Sequence, residues 1–142
     1  MKRIALTRPI LLLVLACGPA DLTKVAQGLD ALATATGTAQ STIIEMEAQK
    51  ILDTDITRTI LTVFQKVILA QREANSITRQ LAAIDKPTQQ QLQAIMLPIT
   101  RAVKDLIDTG AAGIKNPDTK ARVLLTISAV QSVITAINLS LS

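Results

Sequence analysis

The chain has 142 residues, is 49% hydrophobic with Phe64 as its sole aromatic residue, and carries one cysteine and no histidine. The near-absence of aromatics disfavours a β-sandwich or barrel, which leans on aromatic and β-branched cross-strand pairs. The lack of histidine removes Ser-His-Asp and Cys-His catalysis and imidazole metal or haem ligation.

The formal net charge of +4 is unevenly placed. Three of the 15 basic residues, Lys2, Arg3 and Arg8, precede Cys17 and none of the 11 acidic ones does, so 12 basic residues face 11 acidic ones from Cys17 onward. A nearly neutral chain without a basic cluster or stacking aromatics has no footprint for nucleic acid, and none is expected as a partner.

At the N-terminus, positive charges are followed by the apolar run Ile10-Leu11-Leu12-Leu13-Val14-Leu15-Ala16, then by Cys17 and Gly18-Pro19. This is the layout of an export signal. The run is too short for a membrane-spanning helix, which needs ~20 apolar residues, and Pro9 breaks any longer helix begun at Ile4.

Val14-Leu15-Ala16-Cys17 resembles the lipobox of bacterial lipoproteins, although that pattern prefers leucine in place of Val14 and a small residue in place of Leu15. The resemblance covers about the first 18 residues. It implies cleavage before Cys17 and lipidation of that cysteine, with residues 1–16 as signal peptide, 17–21 as lipidated residue and tether, and 22–142 as the mature domain. Gly18, rather than aspartate, after the cysteine implies sorting to the outer membrane, facing the periplasm. A single acyl chain binds a bilayer only marginally, whereas two or three anchor it stably.

Asp21 is placed to cap a first helix over about 22–52. Its apolar line is Val25, Leu29, Leu32, Thr36, Ala39, Ile43 and Met46. Gly37 lies among threonines, and the sequence leaves open whether the helix runs unbroken through residues 34–41, because a glycine in a helix costs about 1 kcal/mol relative to alanine. Asp53-Thr54-Asp55 ends this helix and caps a second over 56–84. Its stripe is Ile56, Ile60, Val63, Val67, Ala70, Ala74, Ile77, Leu81 and Ile84, spaced alternately four and three.

Lys86-Pro87-Thr88 turns the chain, and Thr88 with Gln91 forms a capping box. A third helix carries Leu92, Ile95, Met96, Ile99, Val103, Leu106 and Ile107, with a kink expected near Ala94 because Pro98 withholds its donor. Gly110 and Gly113 are expected to end it in left-handed cap conformations. Asn116-Pro117 opens a fourth helix with the stripe Val123, Ile127, Val130, Ile134, Ile137 and Leu141 and an expected Asp118–Arg122 ion pair. The tripeptide Ile-Thr-Arg, repeated at residues 56, 77 and 99, reads as an amphipathic face reused.

Four amphipathic helices with short connections predict an all-α, up-down antiparallel four-helix bundle behind the N-terminal signal segment. The first two helices, at ~45 Å, should project past the last two, at ~36 Å. With Cys17 at the membrane, the Asp53–Asp55 turn is the far tip.

No catalytic, cofactor or metal site is expected. Asp53 and Asp55 read as helix-capping groups rather than a cation site, since two carboxylates leave most of the oxygen positions calcium needs unfilled. Glu45 and Glu47 point to different faces. The stretch holding Thr34, Thr36, Gly37 and Gln40 reads as a packing seam or as a groove for a lipid tail or partner helix. These features lead to the expectation of a non-catalytic envelope lipoprotein with a protein partner. A carrier of a small apolar ligand and a phage- or plasmid-encoded envelope accessory factor are the alternatives.

Overall fold

A computed structural model describes residues 22–84 and 87–142; residues 1–21, including Cys17, the signal segment and the Asp21 cap, and residues 85 and 86 of the second turn lie outside it. The described chain forms α1 (Leu22–Ala48), α2 (Thr54–Leu81), α3 (Gln89–Thr109) and α4 (Pro117–Ser140). Each helix packs chiefly against two others, in the ring α1–α2–α3–α4. The fold is thus the predicted all-α four-helix bundle.

The core follows from helical spacing. Every residue of the stripe on α1, Thr36 included, is buried, as is every residue of the stripe on α4. On α2 the middle of the stripe is buried, but Ile56 and Ile77 are half-buried and Ile84 is 43% exposed, because the helix ends at Leu81. Phe64 is fully buried.

The starts of the last three helices are built as the sequence reads. Asp53 accepts from the Ile56 N–H at 2.8 Å. Thr88 and Gln91 form the reciprocal capping box. Asn116 accepts from the N–H groups of Asp118 and Thr119, with Pro117 as the first helical residue. These contacts satisfy donors that a helix start otherwise leaves open.

The ends differ from expectation. The first helix stops at Ala48, and the left-handed residue is Lys50, at φ 61°. The Ile51 N–H reaches back to the Met46 carbonyl and the Lys50 N–H to the Glu47 carbonyl, both at 2.8 Å. That pair is the Schellman arrangement, in which glycine usually holds the left-handed place. Gly110 instead has φ −60°, and no described glycine has a positive φ. Gly110 is there for space: a Cβ on it would lie 2.5 Å from the Leu106 carbonyl and 3.0 Å from Ile127 Cδ1. Pro98 does not interrupt α3, which is continuous from Gln89 to Thr109. Asp118 and Arg122 do not pair; both are exposed, where such a pair brings little.

Ala111 and Ile114, in the α3–α4 connection, are buried and join the core. At the other end of the bundle, Gln89 and Gln93 of α3 donate to the Leu141 carbonyl, covering the end of α4.

Candidate functional site

At the tip, an open depression of about 680 Å³ lies over the α1–α2 turn, bounded by Ile44, Glu47, Lys50, Leu52 and Asp53. A smaller one of about 320 Å³ continues along α2 past Thr57, Arg58 and Leu61. Several of the charges around them are engaged locally. Asp53 caps α2, Asp55 lies 3.6 Å from Arg58, and Glu45 accepts from Gln49. Among the described residues no three acidic, cysteine or histidine side chains are grouped to hold a metal, and no buried side-chain polar atom lacks a partner. The tip is therefore a shallow, mixed-charge surface rather than an enclosed chamber.

The four residues singled out on α1 divide between its faces. α1 is unbroken through them. Thr36 is buried and its Oγ1 accepts from Gln71 Nε2 of α2 at 3.1 Å. Gln71 is itself buried, a core position that the apolar stripe did not reveal. Gln40 is half-buried one turn beyond Thr36. Thr34 and Gly37 are exposed; Thr34 donates to the Asp30 carbonyl, and nothing lies within 4 Å of a Cβ built on Gly37.

A different glycine makes the close helix contact. Gly28 is buried, and a Cβ there would lie 2.6 Å from Ile137 Cγ1. This contact sets α1 and α4 in register. With the two helices antiparallel, residues 31–44 of α1 run beside residues 121–134 of α4.

Those two stretches share an exterior unlike the rest of the molecule. Neither residues 31–44 nor residues 123–142 contain a charged residue. α4 is long and apolar enough to cross a membrane by composition, and only 28% of its most apolar 18-residue window is buried, so core packing does not account for its apolarity. Its outward side repeats the four-three spacing as Ala121, Leu125, Ser128, Ser132, Thr135 and Leu139. Leu125 is 73% and Leu139 69% exposed. A search for one apolar stripe finds the inner one and passes over this second one, because both use uncharged residues.

No protein-family model, no curated protein and no solved structure matches this chain.

Proposed function

We propose that this protein is a non-catalytic lipoprotein of the bacterial cell envelope, a helical-bundle interaction or structural module held at the membrane by acyl chains on Cys17. The observation that carries the reading is Val14-Leu15-Ala16-Cys17 behind a basic start and a short apolar run, four residues ahead of the bundle. Five backbone steps from Cys17 to Leu22 span at most ~18 Å. A lipid on Cys17 therefore keeps the end of the bundle that holds Leu22, Leu81 and Leu141 close to the bilayer, with the α1–α2 turn pointing away. Gly18 favours the outer membrane, facing the periplasm.

The chemistry of the chain agrees with a non-catalytic role. Histidine is absent from the sequence. The acidic residues of the tip cap helices or face solvent, where a general acid or base would need a partner and a substrate cavity. The partner is proposed to be an envelope protein, with no nucleic acid involved. The Thr36–Gln71 bond, which closes the α1–α2 seam at the level where a ligand groove would open, supports the interaction module over the carrier of an apolar ligand.

Metabolic labelling with a palmitate analogue tests the anchor. The wild-type chain should take up label and the Cys17→Ala variant none; an unlabelled wild-type chain in a lipoprotein-processing host overturns the reading.

A further inference from the structure

We infer that the outer face of α1 and α4 is a self-association surface on which a second copy of this chain packs, with the two-fold axis along the bundle so that α1 of one protomer lies over α4 of its partner. Among the described residues the face is unpartnered within the protomer and uncharged along its middle, whereas exposed charges are spread along α2 and α3. Its extent fits a stable pair. The 24 residues of α4, two helices wide, give roughly 700 Å² per copy from helix rise and spacing, and twice that lies within the range of specific interfaces.

The orientation follows from charge. Arg122 on α4 and Glu45 on α1 are both exposed and lie near the same level, as the Gly28–Ile137 contact requires. Stacking α1 on the partner's α4, tip beside tip, sets each Glu45 against an Arg122, twice per dimer. The same stacking sets Asp30 opposite Thr135, both exposed, and the Thr135 hydroxyl can donate to its carboxylate. It also leaves both Cys17 anchors at the same end, as two copies in one bilayer need; only this last point rests on the proposed lipidation.

Gly37 supplies the shape. It costs α1 stability, and among the described residues nothing occupies the space above it. In the parallel pair, the exposed Leu125 falls at the level of Gly37 and Ser41, where a missing side chain leaves room for a large one.

Sedimentation equilibrium of the full chain in non-ionic detergent, with Cys17 and with Cys17→Ser, tests this separately from the anchor. Both forms should be dimers. Leu125→Glu should weaken each by roughly tenfold or more, as the loss of a central anchor does, without moving the unfolding midpoint measured at dilutions where the chain is monomeric. Arg122→Glu should weaken the dimer, and adding Glu45→Arg should restore it. A chain monomeric in both forms overturns the inference, including one that binds lipid vesicles through Leu125 instead. A dimer seen only with Cys17 and indifferent to Leu125→Glu, or one that the double charge reversal fails to restore, overturns it as well. A dimeric wild-type chain whose Cys17 carries no acyl group would leave this face in place while removing the lipoprotein reading.

Discussion

The α2–α3 side and the α1–α4 side of this bundle are built on the same inner pattern and differ in what they show to solvent. α2 and α3 expose Arg58, Arg72, Glu73, Arg79, Arg101 and Lys104 along their length, with Lys66 and Asp105 paired across them at 3.1 Å. Leu69 and Leu97 stand singly among these charges, which is ordinary for a soluble surface. The middle of the α1–α4 side presents chiefly alanine, serine, threonine, glycine and leucine instead. Inward stripes alone would give the same bundle on both sides, so the difference lies in the exterior. One side is built to stay solvated and the other to be covered.

The sharpest way to break that comparison is within α1, where two glycines face opposite ways. Gly28→Val should destabilise the protein by about 1–3 kcal/mol, since the new side chain meets Ile137 and overpacking carries that cost. Thermal or urea unfolding measures it. A neutral result would mean that α1 and α4 are not packed as closely as the register needs.

Thr36→Val should cost a similar ~1–3 kcal/mol by leaving the buried Gln71 amide without its acceptor. Combining it with Gln71→Leu should recover most of the loss, and a double-mutant cycle with no coupling would show that the bond does not form.

Gly37→Ala should do the reverse of Gly28→Val. In the dissociated protomer it should stabilise by about 0.5–1 kcal/mol, because the position is exposed and open. Lys50→Gly should add about 1 kcal/mol by relieving a left-handed conformation that L-residues resist. Circular-dichroism melts separate either from no change.

The smallest effect belongs to the charged side. Lys66→Ala should cost at most ~1 kcal/mol, and less in high salt, as expected of an exposed pair. Lys104, hydrogen-bonded to Asp108 and drawn upward by its charge and that of Asp105, holds its proton more tightly than an ordinary lysine. A raised lysine pKa contributes fully below the unfolded value near 10.5 and is lost only as the pH climbs above it. Lys104→Met should therefore leave the pH dependence of stability unchanged between about pH 5 and 9, as melts across that range would show.

Much of the fold is legible in the sequence because it rests on local rules. Spacing gave the four inner stripes, and Asp53, Thr88 with Gln91, and Asn116 with Pro117 announce three helix starts. Helix ends are harder, since a backbone hydrogen-bond motif closed α1 around Lys50 where glycine would be the natural sign. The roles of Gly28 and Gly110 depend on which helix lies across from them, and no local pattern holds that information. Gln71 was hidden for a related reason: a polar residue is acceptable in a core only when a partner such as Thr36 comes from another helix. Of the residues singled out for function, Thr34, Thr36, Gly37 and Gln40 stand out by composition, yet only their division between buried and exposed faces distinguishes their roles. Cys17 is marked by its sequence neighbours alone.

Intact-mass analysis of the protein extracted from the membrane fraction tests the central claim most directly. A chain that begins at Cys17 and carries the mass of two or three acyl chains is the predicted result. A chain that keeps Met1, or begins after Ala20, or bears a free thiol on Cys17 would contradict it.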